Sequence, residues 1–210
     1  MQEPDPQAYQ AVVLRDMQHW LEIAVIGLQL CPFAKAVHVR GQIHYVVSRA
    51  TDPASLLQLL RHELQTLAGM DAQLRDTTLV VLPDALASFL DFNDFVGRSE
   101  DLLEALELDG VLQIASFHPL FQFAGTVMDD ITNATNRAPY PTLHLLREAS
   151  IDRATAAFAQ AETIFEANIE TLQRLGPSGW AALGVRRSVP AAGAEAAVEP
   201  AARGRGRIGR

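Results

Sequence analysis

Ile43-His-Tyr-Val-Val-Ser48, then Asp52-Pro53 opening a leucine-bearing stretch closed by Gly69, then Thr77-Thr-Leu-Val-Val-Leu82, is the stretch that sets the fold class. The first run has the β-branched and aromatic content of a strand. Asp52 offers an N-cap and Pro53 suits the first helical position. Leucines at 56, 57, 60, 64 and 67 recur at helical spacing. The third run is short and almost wholly apolar, the pattern of a strand covered on both faces. A helix of this length between two strands implies a parallel crossover.

The pattern continues outward. Asp5-Pro6 begins an amphipathic helix over about 6–29, with Val13, Met17, Trp20, Leu21, Ala24 and Leu28 on one face. Downstream, a helix over about 85–108 with a break at Gly97 precedes a third strand over Val111–Phe117. Thr142–Glu148 reads as a short helix. Ser150–Leu175 reads as the longest, with Ala154, Phe158, Ala161, Phe165, Asn168, Leu172 and Leu175 on one face and Gly176-Pro177 as its stop. The expected architecture is α/β: a small, mostly parallel sheet of three or four strands built from βαβαβ units, flanked by N- and C-terminal helices. One domain spans 6–184. Residues 185–210, rich in Ala, Gly and Arg, lack the large apolar side chains that order a chain and are expected to be a disordered tail.

At 210 residues and 49% hydrophobic, the chain can bury a sizeable core. No run approaches the roughly 18 apolar residues of a membrane span, and the start shows no basic n-region followed by an apolar stretch. Cys31 is the single cysteine, which excludes an intramolecular disulfide and any multi-cysteine metal site. A cytoplasmic location is expected. The net charge of −8 conceals an asymmetry: residues 186–210 carry six arginines against Glu195 and Glu199, so the remainder stands at −12. Such a body repels nucleic acid and anionic membranes, and neither is expected as a partner.

The candidate chemistry lies after the third strand. His118 to Pro141 is a run of 24 residues with no clean period, and stretches of that length inside a domain tend to be functional. It begins at the carboxyl end of a strand, where open α/β sheets place ligands. It concentrates His118, Gln122, Asp129, Asp130, Asn133, Asn136, Arg137 and Tyr140. Arg137 is a five-donor fork suited to a carboxylate or phosphate. His144 and Glu148 stand at i and i+4, and with His118, Asp129 and Asp130 could hold a metal ion; no dense metal motif is present. Cys31 precedes Pro32. If Pro32 starts a helical turn, Cys31 is its N-cap, where amide N–H groups and the nearby Lys35, the only lysine, favour a thiolate.

Leu30-Cys-Pro-Phe-Ala-Lys35, Tyr45-Val-Val-Ser48, Ser116-Phe-His-Pro119 with Gln122-Phe123, Asn133 to Arg137, and Pro139-Tyr-Pro-Thr-Leu-His-Leu-Leu-Arg-Glu148 together resemble an uncharacterised bacterial family, the domain of unknown function 1415, over about residues 6–184. The resemblance supplies no activity or cofactor. It implies that these stretches are the family's own motifs, which ties Cys31 to the 118–148 region.

Three functions remain open. The first is a small enzyme acting on an anionic small molecule, with Cys31 as nucleophile, His118 as acid–base and Lys35, Gln122, Asn133, Asn136, Arg137 and Tyr140 as binding residues. The second is a non-catalytic ligand- or partner-binding module, distinguished by an unreactive Cys31 remote from His118. The third is a metalloprotein using His118, His144 and one or two of Asp129, Asp130 and Glu148.

Overall fold

Asp52 caps its helix as the sequence requires, its carboxylate accepting from the Ser55 amide at 2.9 Å. The computed structural model describes residues 5–157 and 163–190. Helix α1 (Pro6–His19) continues without interruption as a π-helical turn, Trp20–Ile26, followed by the short α2 (Ala34–Val39). Strand β1 (Ile43–Val47), α3 (Pro53–Gly69) and β2 (Thr77–Val81) form the expected crossover, with β1 and β2 parallel. Helix α4 (Phe89–Ala105) leads to β3 (Leu112–Phe117), then a 3₁₀ helix (Ile131–Asn136), β4 (Thr142–Arg147), α5 (Glu148–Ala157) and α6 (Ile164–Ala182). Gly97 does not break α4. Gly176, at φ +67°, ends the regular part of α6 before a last helical stretch resumes at Pro177. Phe158, Ala161 and residues 191–210, for which the sequence predicts helix and tail, lie outside the described residues.

The sheet is four-stranded in the order β1-β2-β4-β3. Strand β4 is antiparallel to both neighbours, so β1, β2 and β3 share one direction and β4 opposes them. The sheet is therefore mixed, not mostly parallel: β1 and β2 pair across α3, but β4 is inserted antiparallel between β2 and β3, so the strands that α4 joins run the same way without pairing. The correction comes from Thr142–Arg147, expected as helix. Leucines favour helices, but here β2 and β3 offer hydrogen-bonding ladders on both sides. The side chains alternate, with Leu143 and Leu145 in one core and His144 on the opposite face. Tertiary pairing overrides propensity.

Two cores flank the sheet. On one side Val80, Leu82, Leu112, Leu143 and Leu145 pack under α3 and α4. On the other Leu79, Val81, Tyr140 and Ala138 pack under α1 and the π-helical turn, with Tyr45, Phe117, Cys31 and Val189 at the margin. A third cluster joins Leu30, Ala134 and Leu172, which seats the 3₁₀ helix between α6 and the segment before Cys31. The segment 185–190 does not leave the body at 184. The amide and hydroxyl of Ser188 donate to Asp16 at 2.7 and 2.8 Å, and Arg187 donates to the Pro83 carbonyl at 3.0 Å. No helix of the described residues is long and apolar enough to cross a membrane.

Candidate functional site

The aperiodic run after β3 is held by its own polar side chains. Asn133 is fully buried. Its Oδ1 accepts from the Phe123 amide at 2.9 Å and the Thr126 hydroxyl at 2.8 Å, and its Nδ2 donates to the Val127 carbonyl at 2.8 Å. Gln122 donates to the Thr126 carbonyl at 2.6 Å, and Asn136 to the Ser116 carbonyl at 3.1 Å. Arg137 donates from Nε to the Phe121 carbonyl at 3.2 Å and from Nη2 to the Met128 carbonyl. Asp130 caps the 3₁₀ helix through Thr132. Four of the residues expected to bind substrate are thus occupied in shaping the loop.

His118 is fully buried between the Phe89 and Phe92 rings, 5.4 and 5.0 Å away between centroids. Nδ1 accepts from the Leu120 amide at 3.0 Å, which leaves Nε2 to carry the proton and donate to the Leu86 carbonyl at 3.0 Å. Burial holds its pKa below the ordinary value. Both nitrogens are committed and the ring is neutral.

Cys31 packs against the other core, under the π-helical turn, whereas Phe92 beside His118 belongs to the α3–α4 core. The two side chains thus pack against different cores, although that of Cys31 also includes Phe117, Ala138 and Tyr140. Cys31 is not the N-cap of α2, which begins at Ala34 with Phe33 before it. Amide N–H groups of Phe33 and Ala34 do face Sγ, but burial outweighs them and raises the thiol pKa. Lys35 is exposed, and with Pro32, Ala36, Val39 and Arg40 it lines an open groove of about 480 Å³.

His144 and Glu148 do not share a helix face. His144 lies in β4, with Nε2 donating to the Thr77 hydroxyl at 2.7 Å, while Glu148 opens α5. Thr77 in turn donates to the Leu145 carbonyl at 2.5 Å. Among the described residues no three His, Cys, Asp or Glu side chains are grouped so as to hold a metal ion.

The Tyr140 side chain bonds away from the loop, to Asp16 and Ser188. It is fully buried, donates to Asp16 at 2.5 Å, and accepts from the Ser188 amide at 3.2 Å. Burial, then Asp16, pushes its pKa up to about 12. Alongside it Tyr9 donates to Asp84 at 2.5 Å, and Arg49 reaches the same carboxylate at 2.9 Å. Arg49 and Arg187 lie over the Tyr9 and Tyr140 rings at 4.8 and 5.0 Å. This ring closes the carboxyl ends of β1 and β2. Asp84, two residues beyond that strand-end run Val81-Leu82, was discoverable from the ligand-at-the-carboxyl-edge rule. Asp16 and Arg187 carry no such signal.

What the loop builds is a cleft of about 310 Å³ against α6, lined by Phe123, Ala124, Thr126, Thr132, Thr135, Phe165 and Ile169. Its walls are rings and methyls edged by three hydroxyls, with no ionisable side chain. Sequence periodicity assigned Phe165 to the buried face of its helix, yet it is 59% exposed. An apolar residue on the core stripe left uncovered is the signal for this cleft, and it becomes visible only with the structure.

The family described as "Protein of unknown function (DUF1415)" matches residues 12–182, most of the chain, and the chain belongs to it. Curated proteins and solved structures yield no match.

Proposed function

We propose that this member of the DUF1415 family is a ligand-binding module whose site is the cleft between the 123–135 turn and α6. The carrying observation is the lining: apolar side chains with Thr126, Thr132 and Thr135 at the edge and no titratable group. About 310 Å³ is at the small end of ligand sites. Each threonine hydroxyl already donates within the loop, so it offers an outside group its lone pairs. The ligand class is a small neutral molecule, mainly apolar, with one or two donors. His118, locked neutral, and Cys31, in the opposite core, support binding without chemistry.

The test uses 2-naphthol, a neutral fused ring with one hydroxyl. Its fluorescence should titrate saturably with the wild-type chain. Ala124→Trp, which fills the mouth from an exposed position, should abolish the change, and Thr135→Val should weaken binding about five- to tenfold through one lost hydrogen bond. Lys35→Ala should have no effect. Unsaturable titration, or equal binding by Ala124→Trp, overturns the assignment.

One observation favours the alternative of a thiol enzyme acting on an anion. Lys35 and Arg40 line a groove beside Pro32, adjacent in sequence to Cys31, in a body otherwise short of cations. In that reading Cys31 is the nucleophile, and inorganic phosphate should compete with its alkylation.

A further inference from the structure

Around the cleft, but mostly outside it, the chain exposes large apolar side chains: Leu90 at 76%, Leu120 at 50%, Val127 at 65% and Met128 at 66%, beside Phe165. Rings connect them. Phe89 stands 5.2 Å from Phe121, Phe121 4.9 Å from Phe123, and Phe123 6.4 Å from Phe165. The row of part-exposed rings, with the exposed Phe165 at its end, runs from the start of α4 through the loop to the start of α6 and makes one apolar face. Leu90, Leu120, Val127 and Met128 flank its members in the sequence. Contiguous apolar faces with polar rims mark interaction sites on soluble domains.

The rim is acidic. Asp91 and Asp94 follow Leu90, Asp129 follows Met128, and Glu166 follows Phe165, all exposed. Arg137, the basic residue of the loop, is turned inward onto the Phe121 and Met128 carbonyls. A second copy of the chain would set acid against acid. The face presents side chains of a helix start and an irregular loop, not an open strand edge, which suits a helix's apolar stripe over an added strand.

We infer that this face docks an amphipathic helix of a partner protein whose apolar stripe is flanked by lysine or arginine. Complementary charge at the rim steers and registers the partner, while the apolar centre holds it. Leu90, Leu120, Val127 and Met128 do not line the cleft, so this assignment stands or falls apart from that of the ligand.

The probes are two 18-residue helical peptides with identical leucine stripes, one carrying lysine and the other glutamate at every remaining position. The full chain should bind the lysine peptide saturably, about tenfold more weakly at 0.3 M than at 0.05 M salt, and should not bind the glutamate peptide. The double variant Val127→Asp/Met128→Asp should lose the lysine peptide while retaining 2-naphthol. This variant is more acidic, so a merely nonspecific charge attraction would strengthen instead. Equal binding of both peptides, no binding of either, or undiminished binding by the double variant overturns the proposal. A dimer of the chain that the double variant dissociates also overturns it, by assigning the face to a second copy.

Discussion

His144 pairs in register with Leu79 and Ala115 in the middle of the sheet, and burial lowers its pKa to about 4. In the unfolded chain it titrates near 6.5. Above that pH both states are neutral and the native advantage is complete. As pH falls from about 6.5 toward 4, the unfolded chain gains a proton that the folded one refuses, and stability drops by up to about 3 kcal/mol. His118, lowered in the same direction, adds to the loss. Urea unfolding at pH 7 and pH 4.5 should therefore show a smaller decline for His144→Gln than for wild type; equal declines would remove His144 from the account. Cys31 is the opposite case of the same physics, since burial disfavours its charged form as well. Iodoacetamide should react slowly at pH 7 and accelerate only above about pH 8.5, with an unchanged profile in His118→Gln. Fast reaction below neutral pH that slows in His118→Gln would bring the two residues together and restore the nucleophile.

At the scale of elements, the segment 185–190 behaves as a strap. Residues 185, 187 and 189 are half-buried and 186, 188 and 190 exposed, with Val185 and Val189 packed on the α1 core and Ser188 hydrogen-bonded to Asp16. A chain ending at Gly184 should lose about 2–4 kcal/mol, the sum of two partly buried valines and an Asp16 carboxylate left with Tyr140 but without the two Ser188 donors. A chain ending at Pro190 should keep full stability in chemical denaturation. If the Gly184 chain is as stable as the whole, the strap merely rests on the surface. The elements also show where the sequence was legible. α3 and β1–β2 announce themselves through local signals: the Asp52-Pro53 cap, the leucine period and the apolar run 77–82. β4 does not, because its leucines suit a helix and only the ladders of β2 and β3 decide otherwise. The strap resists reading for the same reason: Arg187 and Ser188 look like the start of an Arg-rich tail, and their partners Pro83, Asp16 and Tyr140 stand far away in sequence.

For the molecule as a whole, His118, beside Phe92, and Cys31 pack against the cores on opposite faces of the sheet, while the core of Cys31 also takes in Ala138 and Tyr140 from the run 118–141. His118 belongs to the α4 layer and Cys31 to the α1 layer. The run 118–141 stands out in the sequence by its length and polar content, and in the structure Asn133, Asn136, Gln122 and Arg137 satisfy backbone groups that an irregular run leaves unpaired. Those groups are spent on the scaffold, and the cleft they shape is lined mainly by threonines and phenylalanines that attract no notice in the sequence. The proposed binding role requires that the cleft, rather than the motif residues, meet the ligand. The most direct measurement is a ¹H–¹⁵N correlation spectrum of the chain titrated with 2-naphthol. Saturable shifts confined to the amides of 123–126, 131–136 and 164–169 are predicted, and they should vanish in Ala124→Trp. Shifts centred on Cys31 to Arg40, or none that saturate, would contradict it.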